Sequence, residues 1–314
     1  MLYSEIHGLK SSKIILGTDG YGTVADEATC FDSIDAFVDC GGNHIDTAKL
    51  YNDGEAERIV GRWIKSRGRK NLIIATKGAH PKIETMHINR LSKEDIEYDI
   101  NCSLKNLGID CIDLYWLHRD SEDVDCTEII ENMNGFVKEG KIKKFGCSNW
   151  KAERIEKANS YAKEHGLDTF CASQIRFSLA STAPEFVGDT TLVEMNVKEY
   201  EFYKKSDVAV MGFASQAKGF FSKYLSGGIE ALSPKAKERY YYEGNVKKAE
   251  FIKELSEKYG VAPAGIVCAA LTSIKDVNVF PIIGGKNVKQ LSESFEGADL
   301  ILEENEIKKL VDFA

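Results

Sequence analysis

Eight short apolar runs alternate with longer amphipathic stretches along this chain of 314 residues. The alternation predicts an α/β protein, a (β/α)8 TIM barrel whose parallel strands are joined by right-handed helical crossovers. Eight repeats fit a closed sheet better than an open one, and the length suits one barrel of about 250 residues plus insertions. With no linker or low-complexity stretch in between, residues 1–314 read as a single domain carrying an N-terminal β-hairpin plug and two extra helices.

The elements follow in order. Residues 2–6 and then 13–16, around Gly8, read as a hairpin plugging the barrel floor, with 13–16 serving as the first barrel strand. A helix spans 27–38, and a second strand 44–46. The helix at 55–67 sets Ile59, Val60, Trp63 and Ile64 on one stripe, the 3.6-residue period of a buried face. Strand three is 72–77, and the next helix, 92–107, has Ser92 as its N-cap and Asp95 at N3. Strand four, 113–118, leads to a helix at 126–139, stopped by Gly140. Strands at 144–148, 170–175, 208–213 and 279–283 complete the eight, with helices at 152–165, 197–205, 246–259 and 288–298. The two extra helices are 264–273, after Pro263, and 303–313.

Composition narrows the function. Hydrophobic residues make up 43% and charged residues 29%, enough apolar material for a full core. A net charge of −8 argues against nucleic acid as a partner, because phosphate backbones require a basic footprint. No apolar run reaches the length of a membrane span, and the start lacks the basic and apolar segments of a signal peptide. Eight cysteines without C-x-x-C spacing read as reduced thiols, so the expected location is the cytoplasm. Only His44 and His118 lie on strands, a poor pattern for a metal site.

Four residues carry the chemistry. Asp46, Lys77 and His118 each end or follow a buried-strand run, and Tyr51 follows Asp46 by five residues. Consecutive strand exits converge at one mouth of a barrel, where active sites of such barrels sit. Tyrosine is a weak acid with a reference pKa of about 10. A neighbouring Lys77 ammonium is expected to lower it, and Asp46 to keep that ammonium charged, at a polar mouth within reach of water. His118 would orient a carbonyl or relay a proton. A tyrosine beside Asn52-Asp53-Gly54 is by itself an ordinary loop residue; next to Asp46 and Lys77 it reads as a general acid/base. Reduction of a carbonyl also needs a hydride, which no side chain supplies, so a nicotinamide cofactor is implied. Gly17-Thr18-Asp19-Gly20-Tyr21-Gly22 lacks the G-x-G-x-x-G spacing and reads as a tight loop at the pocket wall.

The stretch from Asp46 to Glu57 resembles the segment D-T-A-x-x-Y-x-x-G-x-x-E of the aldo-keto reductase family. Ala75-Thr76-Lys77, the run from Asp113 to His118, Gly146-Cys147-Ser148-Asn149, Gln174 and the run from Pro281 to Lys286 follow in that family's order. The resemblance implies Tyr51, Asp46, Lys77 and His118 as the catalytic set, with Tyr51 as general acid/base. It implies NADP as cofactor, with NAD also accepted. Ser148, Asn149 and Gln174 would take the carboxamide, and Phe213 would stack on the nicotinamide, where tyrosine is commoner. Ser215, Gln216 and Gly219 would line the pyrophosphate crossing. Gly284 would line the cofactor site, Lys286 would hold the 2′-phosphate and Gln290 the adenine; Ser294 stands where asparagine is more usual. Gly17, Thr18 and Asp46 complete the cofactor set. Tyr21, His80 and His118 are the expected substrate contacts, and the loops at 78–91, 119–125 and 177–190, which include Glu185, set specificity. The expected substrate is a small carbonyl compound or alcohol, namely an aldehyde, a ketone or a sugar-like molecule. The alternative on the same fold is a nucleotide-binding redox sensor or regulatory subunit.

Overall fold

In the computed structural model, which describes residues 1–69, 71–182 and 189–311, the chain begins with an antiparallel hairpin. Its strands are β1 (Tyr3–Ile6) and β2 (Leu9–Ser12), paired from Tyr3 opposite Ser12 to Ile6 opposite Leu9. The second arm is therefore 9–12 rather than 13–16, and the first barrel strand, β3 (Ile15–Gly17), starts two residues later than expected. The reason lies in the turn. His7 and Gly8 both have positive φ, 44° and 92°, as a tight two-residue hairpin turn requires, so pairing resumes at once on Leu9. The plug itself is as expected: Ile6 is buried in a cluster with Ala75, Leu114, Trp116, Met211 and Phe280, which fills the barrel interior.

The remaining barrel strands are β4 (His44–Asp46), β5 (Ile73–Gly78), β6 (Ile112–Leu117), β7 (Ile142–Ser148), β8 (Ala172–Arg176), β9 (Ala209–Phe213) and β10 (Val279–Ile283). With β3 they close into a barrel in chain order, β10 pairing back onto β3, and every pairing is parallel. Near-continuous burial of β5, β6 and β8 is what a parallel sheet covered on both faces imposes.

The outer helices are α1 (Glu27–Asp39), α2 (Glu55–Arg67), α3 (Lys93–Leu107), α4 (Cys126–Lys138), α5 (Ala152–Glu164) and α6 (Val197–Lys205). Between β9 and β10 stand four more: α7 (Phe220–Gly227), α8 (Pro234–Tyr240), α9 (Glu243–Tyr259) and α10 (Pro263–Thr272). α11 (Val288–Phe295) and α12 (Glu304–Leu310) end the order. The extra helices at 264–273 and at the C-terminus are present, and Phe313, the last residue expected in the second, lies outside the described residues. α7 and α8 go beyond the two expected. They are short, and α8 starts on a local signal, Ser233 accepting from the Ala236 amide with Pro234 at its first position. A second, larger apolar cluster lies between strands and helices, with Phe37, Trp63, Phe136 and Trp150 among its buried members.

Candidate active site

Asp46 is the last residue of β4 and Lys77 the fifth residue of β5, adjacent strands in register from His44 opposite Ile73. Both side chains are buried, Lys77 completely. The Lys77 Nζ donates to Asp46 Oδ2 at 2.5 Å, to the Thr47 carbonyl at 2.8 Å and to Tyr51 Oη at 3.1 Å. Three acceptors satisfy all three ammonium protons. Tyr51 reaches this point because the chain turns sharply after β4. The Tyr51 amide donates to the Ala48 carbonyl at 3.0 Å, and the Gly54 amide returns to the Tyr51 carbonyl at 3.1 Å. Asn52 and Asp53 adopt left-handed backbone, both at φ 49°, conformations that these short polar residues tolerate.

Electrostatics departs from the expectation in two respects. Burial pushes the Tyr51 hydroxyl above its ordinary value, and the pull of Lys77 offsets only part of that rise. Tyr51 is thus firmly protonated. Asp46 is buried too, rather than lying at a wet mouth, and burial raises its carboxyl against the pull of Lys77. Burial alone would lower the Lys77 ammonium, but Asp46 and Tyr51 together hold it above the usual lysine value.

His118 follows β6, its amide donating to the Gly78 carbonyl at 2.9 Å. Its ring meets Tyr51 edge-on at 6.1 Å between centroids and His80 at 4.9 Å. Burial, with Lys77, Arg119 and His80 adding to it, holds the His118 imidazole neutral, well below the usual histidine range. His80 is also lowered by burial, and its Nδ1 lies 2.6 Å from the Pro81 carbonyl, which fixes the proton on that nitrogen. The loop carrying His80 is anchored by Asp99, which accepts from the Ala79 amide at 2.8 Å and from Arg90 at 2.6 and 2.9 Å.

On the far side of the mouth one network joins three expected residues to Asp46. Gln174 Nε2 donates to Asp46 Oδ1 at 3.1 Å, Ser148 Oγ donates to the Gln174 carbonyl at 2.9 Å, and Asn149 Nδ2 donates to Ser148 Oγ at 3.0 Å. Thr18 is buried, with its amide and hydroxyl both given to the Asp46 carbonyl at 3.1 and 3.2 Å, so it positions Asp46. Gly17 pairs with Asp46 in the sheet. Tyr21 lies in the main apolar cluster with its hydroxyl buried and unpartnered among the described residues. Glu185 lies outside the described residues. The Thr47 carbonyl is a site group that sequence reasoning missed, since a backbone oxygen leaves no residue signature.

Beyond Phe213, half-buried at the end of β9, the backbone turns through positive φ at Ala214, Ala217, Lys218 and Gly219. Ser215 Oγ donates to the Ile282 carbonyl at 2.7 Å, tying this loop to β10. Gln216 Nε2 donates to Ser294 Oγ at 2.8 Å, and the Lys286 amide to Gln290 Oε1 at 3.0 Å. Lys223 is lowered by partial burial and by the nearby ammoniums of Lys286 and Lys218. Among the described residues none of these three lysines has a carboxylate partner. A side chain at Gly284 would meet Asp19 Oδ1 at 3.4 Å and the Gly17 carbonyl at 3.7 Å, so this corner is closely built. Among the described residues there is no cluster of metal-ligating side chains, and no helix is long and apolar enough to cross a membrane.

Known proteins resemble this one in architecture and in sequence. The model of the Aldo/keto reductase family matches residues 13–314. Norsolorinic acid reductase of Emericella nidulans is 28% identical over 98% of this chain and 80% of its own length. An NADP(+) aryl-alcohol dehydrogenase of Phanerodontia chrysosporium is 28% identical over 93% of this chain and 77% of its own. A thermostable aldo-keto reductase crystallised with the inhibitor epalrestat superposes with a TM-score of 0.75 over the whole of both chains at 23% identity. On the strength of the match over nearly its whole length, the chain belongs to the aldo/keto reductase family.

Proposed function

We propose that this protein is an NADP-dependent oxidoreductase that reduces the carbonyl of a small aldehyde, ketone or sugar-like compound to an alcohol, or runs the reverse. The observation that carries this reading is the buried Asp46–Lys77–Tyr51 chain with neutral His118 edge-on to Tyr51. In reduction Tyr51 gives its proton to the carbonyl oxygen as negative charge grows there. Lys77, 3.1 Å from that hydroxyl, stabilises the phenolate left behind. Asp46 keeps Lys77 charged and aimed. His118, held neutral, offers a ring N–H to the same oxygen and orients the substrate.

A nicotinamide dinucleotide supplies the hydride when bound. The residues present fit such a group. Phe213 is half-buried at the end of β9, and Ser148, Asn149 and Gln174 carry amide and hydroxyl groups at the ends of β7 and β8. Lys218, Lys223 and Lys286 form a cation cluster of the kind that phosphates neutralise. The names of the relatives point to NADP and to aromatic alcohols as the first compounds to try.

The test is steady-state turnover, in both directions, with NADP and NAD across aryl aldehydes, ketones and sugars, followed by nicotinamide absorbance. Turnover of at least one carbonyl class with preference for NADP is expected. Tight NADPH binding without turnover of any class would overturn the reading in favour of a redox sensor.

A further inference from the structure

We propose that a pocket beside the barrel mouth, built around Arg176, binds an acidic group of the substrate, a carboxylate or a phosphate; this rests on the carbonyl-reducing reading above. Arg176 ends β8, two residues beyond Gln174 and opposite Phe213 in the register with β9. Side chains two apart on a strand share a face, so Arg176 stands on the Gln174 side of the sheet, about 7 Å further along the strand. That is within the length of a small molecule whose carbonyl lies at Tyr51.

Arg176 is only 6% exposed, and its Nε and Nη1 are buried with no hydrogen-bond partner among the described residues. A guanidinium keeps its charge in a folded protein, and a buried charge without a partner is costly. The other arginines sunk into this end of the barrel are all paired: Arg90 with Asp99, Arg119 with Asp189 and Arg154 with Asp120. Arg176 instead lines a cavity of about 170 Å³ together with Ser178, Ser181, Thr182, Glu194 and Lys248. One water takes about 30 Å³ in the liquid, so the space holds several waters or the acidic end of a ligand.

Glu194 is the alternative partner and does not take that role. It faces Arg176 across a bridge in which the Met195 amide donates to the Arg176 carbonyl at 2.8 Å. Its carboxyl is raised by burial and pulled back by Arg176 and Arg239, yet no ion pair forms between Glu194 and Arg176. Lys248 lines the same wall, its Nζ donating to the Leu179 carbonyl at 2.9 Å. Buried Leu179 and Met195 supply apolar surface for the body of the ligand.

The experiment is calorimetric titration of the NADP-saturated enzyme with benzoate, phenyl phosphate and neutral benzamide. Wild type is expected to bind one of the anions about tenfold or more tightly over benzamide, the discrimination a charge-assisted contact provides. The anion that wins identifies the group. Arg176→Gln should bring the ratio close to one, and Arg176→Lys should keep part of it. Equal affinity for anions and benzamide in wild type overturns the proposal without need of any variant, leaving water and Glu194 as the cavity's occupants. An unchanged ratio in folded Arg176→Gln overturns it as well. A kinetic arm compares 4-carboxybenzaldehyde with its methyl ester, and a lower KM for the acid is expected. Anion preference without turnover of either aldehyde or of any other carbonyl class would remove the carbonyl-reducing reading and leave the pocket. Turnover without anion preference would do the reverse.

Discussion

Tyr51, Lys77 and Asp46 are joined in one hydrogen-bonded chain, and under the proposed function their variants separate acid chemistry from folding. Tyr51→Phe keeps the ring against Lys77 and removes only the proton. Its kcat should fall by at least about 10²-fold, the usual cost of a lost general acid, while NADPH affinity measured by fluorescence quenching stays within experimental scatter. Wild-type turnover in that variant would end the assignment. Lys77→Met has a wider effect, because Asp46 is 2% exposed and would be left as a buried carboxylate without its ammonium partner, with Gln174 still donating to it. Removing one partner of a buried ion pair costs about 3–5 kcal/mol. The variant should therefore lose both activity and several degrees of Tm. The double variant Asp46→Asn with Lys77→Met should regain most of the stability and none of the activity. Recovery of turnover in the double variant would show the pair to be structural alone.

At the scale of elements, strand exits place the chemistry and helix starts place the cations. Asn287 caps α11, its Oδ1 accepting from the Gln290 amide at 3.0 Å, and Lys286 stands one residue before it. An ammonium and a helix N-terminus together favour a phosphate over a hydroxyl. Lys286→Ala should raise the KM for NADP several-fold and leave that for NAD nearly unchanged. Equal changes for both cofactors would show that Lys286 does not read the 2′-phosphate. The strands and the residues at their ends were legible in the sequence because buried parallel strands are near-continuous apolar runs, and a charge directly after one has to have a purpose. The hairpin arm was misplaced because the positive φ of His7 has no reliable marker, and histidine seldom takes it. α7 and α8 escaped because eight and seven residues show too little periodicity to stand out. The Thr47 carbonyl and the solitary guanidinium of Arg176 became visible only in three dimensions, since pairing or its absence is a property of the fold.

At the scale of the whole molecule, the barrel carries one buried histidine, His118, at the mouth and another, His44, under the plug. His44 is fully buried on β4, and its Nδ1 lies 2.8 Å from Ser11 Oγ on the hairpin. Ser11 Oγ donates its own proton to the Ser12 carbonyl, so the His44 Nδ1–H is the donor in that contact, and the bare Nε2 has no partner among the described residues. Protonating Nε2 would create a buried, unsatisfied charge, and burial accordingly lowers the His44 pKa to about 3. His118 is lowered as well. At these two histidines the folded state binds fewer protons than the unfolded chain once the pH falls below the ordinary histidine value of about 6.5, at His44 down to about 3. The stability that His44 contributes by staying neutral therefore rises with pH between about 3 and 6.5 and is fully present above that range. Each such group costs up to about 1.4 kcal/mol for every pH unit below 6.5. Thermal scans at pH 8, 6.5 and 5 should show little change over the first step and a Tm several degrees lower at pH 5. His44→Gln, which cannot take the proton, should lose distinctly less over that second step. A wild-type Tm that holds level from pH 8 to pH 5 would mean that His44 finds a partner for its charge, and that the plug yields to admit one.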